Sequence, residues 1–176
     1  FGDGKINITN TGLIQAGTSS NAMGIYANNN STGAITDAVI NLGSGTIDMG
    51  ASENAVGLYV NKGTVTDAGS VITVGKNGIA LYAKDSAVTL TGSTINLNGD
   101  NALGIYLDGN TSFTGSGDIN ISGQNVVLFN MNTSGTVSNN FNVVNVTPGS
   151  TYTLGNITGG AFEYIGNSEL ASNGTL

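Results

Sequence analysis

The stretch Asn-Ala-Leu-Gly-Ile-Tyr-Leu at 101–107 identifies the fold of this chain, because close copies of it recur along the sequence. The other copies stand at 21–27, 54–60 and 77–83, with a degenerate copy at 124–130. The aromatic residue of successive copies advances by 33, 23, 24 and 23 positions. A fixed period of this size is typical of solenoids, whose units stack along one axis. We therefore expect long regular surfaces rather than a closed pocket.

The composition limits the classes of protein to which the chain can belong. Only 9% of its 176 residues are charged, whereas ordinary globular proteins carry about 25%. The net charge of −7 argues against nucleic acid and anionic membrane surfaces as partners, since both require basic patches. No apolar run approaches the roughly 20 residues of a membrane-spanning helix. Because the chain has no cysteine, a disulfide framework is excluded.

Each repeat contains three short strand-like pieces, separated by turns rich in Gly, Asn, Ser and Asp. The first piece stands at 6–8, 47–49, 72–74, 95–97 and 119–121. The second is the phrase that carries the aromatic residue. The third contributes one inward apolar residue per coil: Ile35, Val65, Val88, Phe113 and Val137. This pattern predicts an all-β fold, a right-handed parallel β-helix with about 23 residues and three short strands per coil.

The repeat pattern also predicts the domain organisation. We expect one β-helix segment over 1–176, with clear coils over 5–130 and less regular coils over 131–176. The stretch 161–165 is expected to continue the solenoid in altered form, which gives about six or seven coils in all. Both ends fall within the pattern, so we expect the chain to be a fragment of a longer polypeptide.

One step of the repeat is longer than the rest. Tyr59 follows Tyr26 after 33 residues, ten more than the step that comes next. The Ile-Asn-Leu at 40–42 duplicates the first piece at 47–49, which predicts that the extra residues lie near 37–46. We expect them to form a side loop or a local irregularity of the coil.

A column of aromatic residues is the candidate binding feature. Alternation along a strand places Leu103, Ile105 and Leu107 inside the solenoid, so the aromatic residue of each phrase points outward. These candidate binding residues are Tyr26, Tyr59, Tyr82, Tyr106 and Phe129. The small residues expected beside them on the same face are Gly24, Gly57, Ala80 and Gly104. Either the strip binds a sugar or a partner protein, or the rings shield the glycines and stiffen the rod.

A second column is hydroxylated and follows the inward residue of the third piece. Its members are Thr36, Thr66, Thr89, Thr114 and Ser138. Regular Thr-x-Thr arrays occur in ice-binding β-helices, but here the partner column is irregular. That partner column reads Ala34, Thr64, Ala87, Ser112 and Thr136. We therefore attribute the hydroxylated column to the preference of Thr for strands.

The residue types give no support for catalysis or metal binding. Without His or Cys the chain has no Ser-His-Asp triad and no thiol chemistry. Its candidate carboxylates are Asp67, Asp85, Asp100, Asp108 and Asp118. Most stand in turn contexts, where an Asp side chain bonds nearby backbone, and we favour this interpretation over a paired-carboxylate glycosidase. The calcium-binding nonapeptide of β-helices is absent, and the Gly-Asp-Gly at 2–4 is explained by a turn. We expect no catalytic residue, no metal ligand and no cofactor.

The phrase Asn-Ala-x-Gly-Ile-Tyr-Ala, joined to Gly-x-Ile-Asn-Leu pieces, resembles the passenger domains of large bacterial autotransporter adhesins of the type V class. It is most similar to fusobacterial outer-membrane autotransporters. The resemblance covers about 5–130 well and the remainder loosely. It implies a secreted β-helix displayed on the bacterial cell surface, anchored through a C-terminal outer-membrane barrel outside this chain. It also implies adhesion to other cells, and it supplies no catalytic motif.

Three functions of different classes fit these residues. The favoured one is a monomeric, non-enzymatic adhesin or stalk segment in the extracellular space. Its expected partner is a protein or glycan on a host or bacterial cell surface, and not nucleic acid. The alternatives are a polysaccharide-active β-helix enzyme of the tailspike or lyase type, and a purely mechanical spacer.

Overall fold

The structure, a computed structural model, describes residues 6–29, 38–158 and 161–164. These residues contain β-strands and turns and no helix, as short alternating apolar pieces between Gly-rich turns favour. In chain order the strands are β1 (Ile6–Thr9), β2 (Leu13–Gln15), β3 (Met23–Asn28), β4 (Ala38–Asn41), β5 (Thr46–Met49), β6 (Val56–Asn61), β7 (Thr64–Thr66), β8 (Val71–Val74), β9 (Ile79–Lys84), β10 (Ala87–Leu97), β11 (Leu103–Gly109), β12 (Ser112–Ile121), β13 (Val126–Thr133), β14 (Thr136–Val146), β15 (Tyr152–Thr158) and β16 (Ala161–Tyr164).

The strands form two sheets, and every pairing among the described strands is parallel. The first sheet follows the path β1-β4-β7-β10-β12-β14-β16, and β2, β5 and β8 pair beside that path. The second sheet runs β3-β6-β9-β11-β13-β15. Each strand therefore pairs with its counterpart one coil later, which confirms the predicted parallel β-helix. The described residues form a solenoid of about five turns, whereas we expected six or seven coils for the whole chain.

The three strand pieces of a coil remain separate in the early coils and partly merge in the later ones. The single strand β10 pairs with β7 through Val88 and with β8 through Ile95. It thus joins the third piece of one coil to the first piece of the next. The register shifts between Leu90 and Ser93, around Gly92, whose φ is +67°. A glycine adopts this conformation without a steric penalty, and the irregularity bends the strand around the corner of the coil.

The core is a set of inward columns that run along the solenoid axis. One column carries the β-branched residue of the first piece in each coil. Its members are Ile14, Ile47, Ile72, Ile95, Ile119 and Val143. Ile47, Ile72 and Ile95 are fully buried, since a coil covers them on both sides. Burial of each such side chain stabilises the fold by about 1.5–3 kcal/mol, so the stability depends on the coils staying in register.

The first coil corrects two of the sequence assignments. Ile8 pairs with Ile40, and Ile40 pairs with Val65 of the third piece. The 6–8 stretch therefore occupies the place of the third piece and not of the first. Ile40 also holds the inward position that we assigned to Ile35, which lies outside the described residues with Ala34 and Thr36. The sequence was misleading because several Ile-x-hydrophobic triplets fit one column equally well.

The same pairing locates most of the extra residues of the long step. Asn28 pairs with Asn61, and Val39 pairs with Thr64. Asn28 and Val39 are eleven positions apart, whereas Asn61 and Thr64 are only three positions apart. The insertion therefore falls mainly between β3 and β4, earlier in the chain than the predicted 37–46. Residues 30–37 lie outside the part of the chain that the structure describes. The insertion leaves the two neighbouring coils in register.

The solenoid continues past the degenerate phrase, as expected for the less regular coils. β15 pairs with β13, and β16 pairs with β14. Tyr152 is buried and pairs in register with Val126. The prediction for 161–165 is thus confirmed for the strand β16, while residue 165 lies outside the described residues.

An asparagine at the start of each phrase, or next to it in the degenerate copy, turns the chain at a corner of the coil. Asn54, Asn77, Asn101 and Asn125 have φ values between 55° and 57°. Asparagine tolerates this left-handed conformation better than most residues. The Nδ2 of Asn77 donates to Oδ1 of Asn54, and the Nδ2 of Asn101 donates to Oδ1 of Asn77, each at 3.1 Å. The corner residues therefore form a ladder of amide hydrogen bonds between coils.

We predict that Asn77→Ala destabilises the solenoid more than Asn77→Gly does. Both changes remove the amide from the ladder, but only alanine is strained at a φ of 55°. The free energy of unfolding of the alanine variant should be about 1–2 kcal/mol below that of the glycine variant. Urea unfolding followed by circular dichroism measures this difference. At Asn140, an exposed strand residue, the order should reverse because glycine weakens strands. The same order at both positions would contradict the corner assignment.

Candidate functional site

The outer face of the second sheet carries three columns of side chains that run along the solenoid, and these form the candidate site. The aliphatic column consists of Met23, Val56, Ile79, Leu103 and Val127. The tyrosine strip consists of Tyr26, Tyr59, Tyr82 and Tyr106. The polar column consists of Asn28, Asn61, Lys84, Asp108 and Asn132. In-register pairing of β3, β6, β9, β11 and β13 therefore repeats one pattern of side chains from coil to coil.

Face-to-face contacts order the tyrosine strip. The ring centroids of Tyr26 and Tyr59 are 4.9 Å apart, and those of Tyr59 and Tyr82 are 5.1 Å apart. The rings of Tyr82 and Tyr106 are the closest, at 4.6 Å with 6° between their planes. These separations match the spacing of about 4.8 Å between paired strands. The structure thus places all four tyrosines on the outer face, where Tyr26 is 40% exposed and the other three are half-buried.

Phe129 does not belong to this strip, and here the sequence prediction was wrong. Its side chain is fully buried and pairs in register with Ile105. Asn130 pairs with Tyr106 and takes the outward position. The prediction aligned the degenerate phrase by its aromatic residue, one position too early. The corner residue Asn125, with its positive φ, gives the correct alignment, and the tyrosine strip therefore ends at Tyr106.

The small-residue column faces the core and not the outer face, which corrects a second prediction. Its members are Gly24, Gly57, Ala80 and Gly104. A methyl group on Gly57 would lie 2.8 Å from Cγ2 of the buried Ile72 and 2.7 Å from the carbonyl oxygen of Ala80. Gly57 and the next residue, Leu58, are both buried, so the strand departs from strict alternation at this point. The tyrosines therefore do not shield outward-facing glycines.

The aliphatic column is the part of the site that alternation alone missed. We expected Leu103 inside the solenoid, whereas it is half-buried on the outer face. Met23, at the head of the column, is 53% exposed. Because the two residues that follow each member both point inward, each of the first four members shares the outer face with the tyrosine three positions later, and Val127 shares it with Asn130. The recurrence of an apolar residue directly before each glycine or alanine was the available signal in the sequence.

The stacking determines what the tyrosine strip can offer to a ligand. Each inner ring has a neighbour against both of its faces, at the separations given above. No flat ligand fits between rings already in stacking contact. The strip therefore presents ring edges and a row of hydroxyl groups, beside an aliphatic column. Such a surface suits partners that make apolar contacts and hydrogen bonds along a line.

The members of the polar column are held by one ion pair and by hydrogen bonds, most of them between coils. The Nζ of Lys84 lies 3.5 Å from Oδ2 of Asp108. The Nδ2 of Asn61 donates to Oδ1 of Asn28 at 2.8 Å, and the Nδ2 of Asn28 donates to the hydroxyl oxygen of Tyr26 at 3.2 Å. The outer face therefore combines apolar and hydrogen-bonding groups with little net charge of its own.

Three of the five candidate aspartates bind backbone N–H groups, though only one does so in the way that we expected. Asp67 accepts a hydrogen bond from the backbone N–H of Ser70 at 2.8 Å, which is the predicted turn contact. Asp85 and Asp100 instead accept bonds from backbone N–H groups of the next coil, at 2.9 and 2.8 Å. These two carboxylates therefore join successive coils. Among the residues that the structure describes, no group of three or more His, Cys, Asp or Glu side chains is placed to hold a metal ion.

Comparison with known proteins leaves the function to be argued from the chain itself. No protein-family model, no curated protein and no solved structure matches this sequence or its fold. The described residues also include no helix long and apolar enough to span a membrane. The binding role of the tyrosine strip therefore stays a prediction, based on its geometry.

We predict that Gly57→Ala destabilises the protein by about 1–3 kcal/mol, because the added methyl group enters an occupied part of the core. Urea unfolding measures the change. Gly17→Ala is the matched control, since a methyl group at Gly17 would meet no atom within 4 Å. Equal stability of the two variants would show that the small-residue column faces solvent after all.

We predict that the tyrosine strip makes stability depend on pH above 10. Burial raises the pKa of Tyr59 above its ordinary value of 10.0, with a smaller contribution from Tyr26. Burial also raises the pKa of Tyr82, and the negative charge of Asp108 raises it further by a smaller amount. A raised phenol pKa means that the folded state favours the neutral form. The stabilisation is therefore complete below pH 10 and is lost as the pH rises through the folded-state pKa values.

Urea unfolding between pH 8 and pH 11 tests this dependence. The native chain should lose stability in the upper part of the range, and the Tyr59→Phe, Tyr82→Phe double variant should lose less. The phenylalanine rings preserve the stack, so the comparison isolates the ionisation of the two hydroxyl groups. Identical pH profiles for the two proteins would contradict the prediction.

Proposed function

We propose that this chain is a non-enzymatic adhesive segment of a secreted bacterial surface protein, and that it contacts other cells through the outer face of its second sheet. The observation that carries the proposal is the continuous pairing of an aliphatic column with the tyrosine strip on that face. The partner would be a protein or glycan on a host or bacterial cell surface. The chain would act as a monomer, without a cofactor.

The geometry of the solenoid supports such a role. A regular outer face repeats the same weak contact in every coil, and linked weak contacts bind more tightly together than each does alone. Tyrosine is also well suited to binding surfaces, because it combines a large apolar ring with a hydroxyl group. The low net charge of the face leaves shape, apolar contact and hydrogen bonding as the means of recognition.

The resemblance of the repeated phrase to autotransporter passenger domains supports the proposed setting. An extracellular location at the bacterial cell surface would suit a chain without cysteine that is exported unfolded and folds coil by coil outside the cell. Each coil would use the previous one as a template, as the parallel pairing of successive strands allows. The folded rod would then hold the outer face of the second sheet away from the cell.

Binding of the purified chain to host and bacterial cells tests the proposal. We predict that the triple variant Tyr59→Ala, Tyr82→Ala, Tyr106→Ala binds at least about tenfold more weakly, since a single buried tyrosine anchor is commonly worth more than 1 kcal/mol. The matched control replaces three exposed residues of the first sheet by alanine. These residues are Thr66, Thr89 and Thr114. The control should bind as the native chain does.

The outcomes separate the competing functions. Equal binding by the triple tyrosine variant and the native chain would remove the outer face of the second sheet from the proposal. No cell binding by the native chain would favour the mechanical spacer. Polysaccharide cleavage that a single Asp→Asn change abolishes would establish the enzyme instead. Circular dichroism spectra of all variants show whether the solenoid is intact in each case.

A further inference from the structure

The tyrosine strip brings phenol rings from different coils into contact. Tyr82 and Tyr106 are 24 positions apart in the chain, yet their ring centroids lie 4.6 Å apart with 6° between the planes. The other two neighbouring pairs lie at 4.9 and 5.1 Å with 14° and 20° between their planes. All four side chains are partly exposed, so an oxidant in solution can reach them. The chain has no cysteine, and so it has no thiol with which to join its coils covalently.

We propose that the tyrosine strip is a site of dityrosine formation, in which Tyr82 and Tyr106 join neighbouring coils when the protein meets a one-electron oxidant such as a peroxidase supplied with hydrogen peroxide. This is a covalent modification of the outer face, and it does not rest on the proposed adhesive function. The pair with the closest rings reacts first. The Tyr26–Tyr59 and Tyr59–Tyr82 pairs react more slowly.

The chemistry balances with hydrogen peroxide as the oxidant. Each phenol gives up one electron and its hydroxyl proton and becomes a phenoxyl radical, whose unpaired electron is shared with the ring carbons beside the hydroxyl-bearing carbon. A Cε carbon of Tyr82 then bonds to a Cε carbon of Tyr106. Each ring regains its aromaticity when the hydrogen on the bonded carbon moves, as a proton, to the phenolic oxygen. Overall the two tyrosines lose two hydrogen atoms, and one hydrogen peroxide is reduced to two waters.

The solenoid favours this reaction within one chain. Paired strands hold the two rings next to each other, and such positioning raises the rate of a step that would otherwise need two separate molecules to meet. The rings must tilt out of their stack toward a common plane before the two ring carbons can bond. Tyr152 is the internal contrast, because it is buried and pairs with Val126 and not with another tyrosine. The link would constrain the unfolded chain as a disulfide does.

Oxidation of the intact chain at low protein concentration with a haem peroxidase and hydrogen peroxide tests the proposal. Denaturation and trypsin digestion follow, since cleavage after Lys76 and Lys84 separates peptide 77–84, with Tyr82, from peptide 85–176, with Tyr106. The expected product fluoresces as dityrosine and runs as a monomer on a denaturing gel. Its mass shows 77–84 joined to 85–176 with the loss of two hydrogen atoms.

Phenylalanine variants identify the reacting pair while preserving the stack. The joined peptide should fall to background in Tyr82→Phe and in Tyr106→Phe, and it should persist in Tyr152→Phe. Three results would overturn the proposal: no dityrosine in the native chain, cross-links only between chains, or a joined peptide that survives in Tyr106→Phe. Circular dichroism of each variant before oxidation confirms that the solenoid is the species tested.

Discussion

In-register parallel pairing of successive coils is the constraint on which the rest of this structure depends. It aligns Ile47, Ile72 and Ile95 into one buried column, and it aligns the corner asparagines into a ladder of amide bonds. A single coil covers too little apolar surface to offset the entropy of ordering its backbone, so each coil is stable only against its neighbours. Wherever side chains alternate along a strand, a shift of one residue would turn the inward ones outward.

The outer face of the second sheet is a consequence of the same register. Tyrosines at equivalent positions stack because paired strands lie about 4.8 Å apart, which is close to the preferred separation of parallel rings. The stack covers the ring faces and leaves edges and hydroxyl groups exposed. The adhesion and the dityrosine formation that we propose would both depend on this one arrangement. Adhesion would use it through non-covalent contacts, and oxidation would change it covalently.

The period of the phrase at 101–107 was enough to predict the parallel solenoid and the outward position of four tyrosines. It failed where the local backbone departs from strict alternation. Gly57 and Leu58 both point inward, and this places the residue before each glycine on the outer face. Strict alternation does not predict two consecutive inward residues, because this irregularity arises from the fit of one coil against the next.

Two further errors shared a different cause. In both, similarity of residue type was given more weight than position in the coil. Phe129 was matched to the tyrosines, and Ile35 was assigned the place that Ile40 holds. The function was not decided by the sequence, because an adhesin and a spacer require the same core. What distinguishes them is the chemistry of one outer face, and the pattern of core residues does not determine that chemistry.

Spin labels on cysteines introduced at Thr66 and Thr89 test the central claim most directly. Both residues are exposed, and they pair in register one coil apart. We predict strong spin exchange for this pair, at a backbone separation of about 4.8 Å, and a weaker interaction between labels at Thr66 and Thr114, which are two coils apart. Spectra of the Thr66–Thr89 pair that equal the sum of the two single-label spectra would contradict the in-register solenoid.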